Sequence, residues 1–135
     1  MYDLYKKIYD TLGADVTLLK MIGSKSNIRR RFQREPVTSP LIVFHESVPS
    51  GPLVTGTTLI EDLTFEITVY APTDREVAEV IRRVVDVLHD ANLSSTSAYV
   101  YQCDWKSWLI GIVWDPDADA WRRDADFRIV VRRVA

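Results

Sequence analysis

Residues 63–88 read LTFEITVYAPTDREVAEVIRRVVDVL and carry the clearest structural signal of the chain. Apolar and polar side chains alternate over residues 63–69, and this period of two predicts a strand with one buried face. Pro72 ends the strand, and the pattern Thr73-x-x-Glu76 is a capping box that begins a helix. The apolar stripe of that helix predicts that it packs on the sheet.

The flanking sequence predicts helices before this unit and strands on both sides of it. Before it we expect two helices, one from Tyr2 to Leu12 and one capped by Asp15 and closed by Gly23. A loop from Ser24 to Pro40 follows, with a short strand around Ile28 to Phe32. Next come a strand from Leu41 to Glu46 and a long loop from Val48 to Thr58. After it we expect the helix to end near Ala91, strands at Ala98–Cys103 and Ser107–Trp114 joined by a tight connection at Asp104–Lys106, a turn at Asp115–Asp119, and a last strand at Asp126–Val134.

This order of elements predicts an α+β fold. A mostly antiparallel sheet of about four to five strands is expected to pack against one long helix and the N-terminal helix. The chain has 135 residues without an internal repeat or a linker. We therefore expect residues 1–135 to form a single domain.

Composition places the chain among soluble globular proteins, since 47% of its residues are hydrophobic and 27% are charged. Its formal net charge of −2 gives no bulk electrostatic reason to bind nucleic acid or an anionic membrane. A single cysteine excludes an internal disulfide and favours a reducing compartment. The charged N-terminus does not resemble a secretory signal, and no apolar run is long enough to span a membrane, so we expect no membrane partner.

The sequence lacks the common motifs of hydrolases, metalloproteases and nucleotide-binding proteins. Cys103 is expected to be a small buried hydrophobe rather than a nucleophile. His89 falls at a predicted helix end, where a cation complements the helix dipole. His45 shares a strand face with Leu41 and Val43 and is expected in the core or in an interface. We therefore predict no catalytic residue, no cofactor, no metal and no enzymatic activity.

Asp115, Asp117 and Asp119 have the spacing that opens a calcium-binding loop. The pattern then fails, because Ala120 stands where such a loop needs glycine and Asp126 stands where it needs glutamate. A solvated turn is the favoured interpretation of this segment.

Arginines and tryptophans supply the candidate contact residues. The basic cluster around residues 29–34 suits phosphate contact, but the acidic balance of the chain favours carboxylates of a neighbouring chain or solvent. All four tryptophans fall in the last third, and tryptophan is enriched at interface hot spots as well as in cores. The candidate subunit or partner contacts are Arg29, Arg30, Arg31, Arg34, Trp105, Asp115, Asp117, Asp119 and Trp121.

Four segments occur in an order and at a chain length that suggest a known family: LGADVTLL at 12–19, PLIVF at 40–44, FEITVYAPT at 65–73 and WRRDADFRI at 121–129. Together they resemble the tail-completion, or tail-terminator, family of long-tailed bacteriophages and related particles. The aromatic-rich stretch at 99–114 and the turn at 115–119 depart from the family's usual pattern.

The resemblance implies a ring protein, commonly hexameric, that caps the finished tail tube and provides the surface on which the head docks. Its partners would be further copies of itself, the tail-tube protein and a head-completion or neck protein, with DNA at most passing through the ring. It implies a place in the neck region of the virion tail, in the host cytoplasm during assembly, and no catalytic site.

Two other functions stay open at this stage. A neighbouring neck component, such as a head-closure or adaptor protein, also forms rings and differs from a tail terminator only by the matched segments. A small ligand-binding domain would need a concave polar pocket with perturbed titrating groups, for which the sequence supplies no candidate.

Overall fold

A computed structural model describes the chain at residues 4–31, 35–46, 52–55, 58–95, 98–108 and 111–133. The helices are α1 (Leu4–Gly13), α2 (Val16–Ile22) and α3 (Asp74–Leu88), with a 3-10 turn at Lys25–Asn27. The strands are β1 (Ile28–Arg29), β2 (Leu41–Glu46), β3 (Pro52–Thr55), β4 (Thr58–Ala71), β5 (Ala98–Trp108), β6 (Val113–Asp115) and β7 (Ala120–Arg133). No helix in these ranges is long and apolar enough to cross a bilayer.

The strands form one sheet in the order β1-β2-β4-β7-β5, while β3 pairs with β4 and β6 pairs with β7 outside this path. β1 runs parallel to β2, and the other described strand pairs are antiparallel. The α+β class is confirmed. The prediction of four to five strands is wrong, because the described sheet has seven strands. The sheet is mixed, but only the described pair of β1 with β2 is parallel, so the prediction of a mostly antiparallel sheet holds.

Two predicted interruptions of the sheet are wrong. Part of the loop expected at 48–58 is β3, which pairs with β4 from Pro52 opposite Glu61 to Thr55 opposite Thr58. The tight connection expected at 104–106 is absent, because β5 continues through these residues. Its pairing with β7 shifts register at two β-bulges, so the strand is not interrupted.

Two predicted element ends also shift. The last strand begins at Ala120 rather than Asp126, because pairing with β4 and β6 extends it. Helix α3 ends at Leu88 rather than Ala91, and Asp90 already has a φ of 60°. Other predictions hold, since β2 spans the expected residues and the Thr73 hydroxyl accepts a hydrogen bond from the Glu76 N–H group at 3.2 Å.

The helices cover one face of the sheet and build the main core there. The rings of Phe65 on β4 and Phe127 on β7 stack at 5.1 Å at the centre of this face. Asp15 joins two of the covering helices, because its carboxylate accepts the Leu18 N–H group that starts α2 and the Arg83 guanidinium of α3 at 2.6 Å. Packing rather than helix propensity therefore holds the short α2 in place.

Candidate functional site

A buried polar network lies on the sheet face that points away from the helices. The Thr68 hydroxyl of β4 donates to Asp124 of β7 at 2.6 Å, and both residues are at most 5% exposed. Arg122 donates to Asp124 at 2.9 Å and to Asp115 at 3.1 Å, and its guanidinium lies 5.8 Å from the Tyr70 ring centre. One guanidinium therefore pairs with two carboxylates and links the centre of the sheet to the turn after β6.

The acidic turn at 115–119 is a turn, as predicted, and hydrogen bonds to Asp115 hold it. Asp115 accepts the N–H groups of Asp117 at 3.0 Å and Ala118 at 3.3 Å. Burial acts to raise the pKa of Asp115, but the bonds from Arg122 and from these backbone groups outweigh it and lower the pKa. The Asp115 carboxylate thus has its hydrogen-bond partners within the chain. Asp117 and Asp119 are exposed.

A row of titratable side chains crosses the same face of the sheet beside this network. The strand register places His45 and Asp126 on either side of Glu66. Burial raises the pKa of Glu66, and the negative charges of Asp124 and Asp126 raise it further against the opposing effect of His45. His45 is exposed, so its expected place in the core is wrong, while its role in an interface stays a prediction.

The arginine segment, residues 28–31, lies at the β1 edge of the sheet. Arg29 donates to the Ser26 carbonyl at 3.1 Å and pairs with Glu35, so it is bound within the chain. Arg30 lies over the Tyr5 ring at 5.4 Å, and both Arg30 and Arg31 are exposed. The fourth candidate, Arg34, lies outside the described residues.

The tryptophans lie at different places on the sheet. Trp105 of β5 and Trp121 of β7 both pack against the main core, and Trp121 also lies edge to face with Trp114 at 5.7 Å. Trp114 is 46% exposed and is therefore a candidate contact residue. The sequence-based prediction of contact residues names Trp105 and Trp121 but does not include Trp114. The side chain of Trp108 lies outside the described part of the structure.

The outer edge of β5 is closed by the chain that follows α3. Ser94 accepts the Val100 N–H group at 2.9 Å, and the Asp90 N–H group donates to the Cys103 carbonyl at 2.8 Å. His89, at the predicted helix end, accepts the Trp105 N–H group on Nδ1 at 3.1 Å. The sequence gives no signal for this closure, because it depends on which strand becomes the edge.

Cys103 is buried, as predicted, and burial raises the pKa of its thiol to about 12. A thiol of this kind stays protonated near neutral pH and is a poor nucleophile.

The predicted contact residues do not converge on one site. The arginine segment lies at the β1 edge, Trp105 lies on β5 at the other edge, and the acidic turn lies after β6. A surface distributed over opposite edges suits contact with neighbouring chains better than the binding of one small ligand.

Comparisons with known proteins agree with this architecture. The family model described as tail completion protein gp17 matches residues 6–132. A chain in a solved structure, the virion of a native gene transfer agent particle, matches with a TM-score of 0.79 at 20% identity, covering 96% of this chain and 94% of that one. At this identity the structural match speaks for the fold alone. None of the curated proteins matches.

We expect Asp124→Ala to destabilise the protein by about 3 kcal/mol, because it leaves the Arg122 guanidinium without one of its two carboxylates and Thr68 without its acceptor. Thermal unfolding should show a fall of roughly 10 °C. Asp126→Ala, two residues along the same face, is the matched control and should move the midpoint by about 2 °C or less. Equal losses in the two variants would contradict the network.

We expect Glu66→Gln to raise the melting temperature near pH 8 by about 2 °C, because the ionised carboxylate is partly desolvated beside Asp124. The gain should vanish below about pH 4, where Glu66 is protonated in both the folded and the unfolded state. Glu79→Gln on the exposed side of α3 is the control. A gain that persists at acid pH would show that charge is not its cause.

Proposed function

Because the chain belongs to the tail completion protein gp17 family, a family of structural virion tail proteins, we propose that it forms a ring at the head-proximal end of a phage tail. There it ends growth of the tail tube and provides the surface for head joining. The observation that carries the proposal is the family match over residues 6–132. The fold shared with a chain of a gene transfer agent virion supports it.

The proposed partners are further copies of the chain, in a ring of about six, the tail-tube protein and a head-completion or neck protein. DNA at most passes through the ring, and the assembled protein belongs to the neck of the virion after assembly in the host cytoplasm. The single sheet that joins all described strands supports the proposal that residues 1–135 act as one domain.

Exposed surfaces of opposite charge at different places on the chain support cyclic association. A ring needs a head-to-tail contact, in which one patch meets a different patch on the next copy. Arg30 and Arg31 are exposed at one edge, and Asp117 and Asp119 are exposed in the acidic turn. We propose these residues, together with Trp121 and its neighbour Trp114, as subunit or tail-tube contacts. Arg29 and Asp115 shape the same surfaces from within the chain.

Particles made without this protein test the place in assembly. We expect negative-stain images to show tail tubes of irregular length and tails without heads, because nothing stops tube growth. Uniform tails of normal length that only lack heads would instead assign the protein to another neck component. Restoring the wild-type chain in trans is the control.

Arg30→Glu combined with Arg31→Glu tests the arginine segment. We expect the mass of the complex that the chain forms with its tail-tube protein to fall to that of smaller species, because reversed charge disfavours the contact. Arg75→Glu is a control for the charge reversal, since the Arg75 side chain is 86% exposed and lies on α3 rather than in the arginine segment. An unchanged complex that still terminates tails would remove this segment from the proposal.

A further inference from the structure

A pocket opens at the outer edge of β5, and its rim is both aromatic and acidic. Asp90, Tyr99, Tyr101 and Gln102 are among its lining residues. Tyr99 and Tyr101 are 50% and 51% exposed, an unusual exposure for such large rings, and they meet edge to face at 5.0 Å. Surfaces of this kind favour a cation, because a tyrosine face and a carboxylate both attract positive charge.

The rings already hold a guanidinium on one side. Arg132 of β7 lies 5.7 Å from the Tyr99 ring centre and 6.0 Å from that of Tyr101. This contact shows that their geometry accepts a planar cation.

A partner cannot add a strand along residues 100–105. The Val100 and Trp105 N–H groups and the Cys103 carbonyl are bonded to the chain that follows α3. Native sheets often cover an edge in this way and so prevent edge-to-edge pairing. A partner at this edge must therefore bind through side chains.

The carboxylates at the pocket favour an organic cation over a metal ion. The ligand atoms of His89, Asp90 and Asp104 lie within 4.8 Å of one another. Because Nδ1 of His89 accepts the Trp105 N–H group, the neutral ring carries its proton on Nε2, which faces Asp90 at 3.6 Å. That nitrogen has no lone pair for a metal. Asp90 lines the pocket, and Asp104, which also accepts a hydrogen bond from the Gln102 amide, lies beside it, so both carboxylates can accept from a guanidinium.

We infer that this acidic-aromatic pocket accepts the arginine segment of a second copy of the chain. The inference rests on the proposed ring and names its subunit contact. The sheet order places β1 and β5 at opposite edges of one copy. In a head-to-tail ring, the arginines of one copy can therefore enter the pocket of the next copy, while the pocket of the first copy stays available to the copy on its other side. Arg31, two residues after β1, is the exposed cation best placed to enter, with Arg30 beside it.

Cross-linking in assembled particles tests this contact. In particles that carry Arg31→Cys with Gln102→Cys, a short bismaleimide should produce a covalent ladder from dimer up to the closed ring. Each single variant and the pair Arg75→Cys with Gln102→Cys are the controls and should give no ladder beyond the dimer. No ladder in particles whose tails contain the chain would overturn the inference and leave the proposed function standing. Absence of the chain from the tails would overturn the proposed function itself.

Charge exchange gives a second readout that does not depend on the cross-linker. Arg30→Glu with Arg31→Glu should lower the yield of completed particles about tenfold or more, and adding Asp90→Asn with Asp104→Arg should restore most of it. Asparagine is chosen at position 90 because it tolerates the positive φ there. No recovery from a chain with wild-type thermal stability would contradict the contact. A rise in wild-type melting temperature with Zn²⁺ or Mn²⁺, lost in Asp90→Asn with Asp104→Asn, would assign the pocket to a metal instead.

Discussion

The pairing of β4 with β7 is the constraint on which the rest of the structure depends. The two strands stay in unbroken register from Leu59 opposite Arg133 to Ala71 opposite Trp121. A shift of one residue would move every core side chain to the other face, so both faces must agree on one register. On the face that the helices cover, the stacking of Phe65 on Phe127 favours this register. On the opposite face, the hydrogen bond from Thr68 to Asp124 favours the same register.

The polar network gives the open face a fixed shape. Burying Asp124 is costly unless its charge is paired, and Arg122 pairs with it while also holding Asp115 of the acidic turn. The position of an exposed turn is thereby coupled to the centre of the sheet. A turn held in this way is already organised in the free chain, which would lower the entropy lost in the proposed contact with a partner.

The two edges of the sheet differ in a way that suits head-to-tail association. The β1 edge carries exposed arginines, whereas residues 100–105 of β5 are closed to strand addition and carry the acidic-aromatic pocket. Closing the β5 edge protects the chain from open-ended sheet extension. In the proposed ring, specificity for the next copy would rest on side-chain charge and shape, which discriminate between partners more strictly than backbone pairing does.

Local patterns determined much of this protein. The alternation at 63–69, the Thr73 cap, the Asp15 cap and the boundaries of β2 follow from side-chain period and capping chemistry, which act within a few residues. The burial of Cys103 and the turn after β6 could also be predicted, because a free cysteine favours buried positions and aspartate favours turns. The segments that indicate the family are likewise readable in the sequence.

Tertiary structure alone decided the remaining features. The continuation of β5 through residues 104–106 and the strand at Pro52–Thr55 depend on partners far away in the chain, whose pairing overrides weak local propensity. The same holds for the site: Glu66 lies opposite Asp126, Arg122 pairs with Asp115, and Asp90 lines one pocket with the tyrosines of β5 only once register and strand order are set. Charges of the candidate residues can be read from the chain, but their partners cannot, because pairing across a sheet is a long-range property.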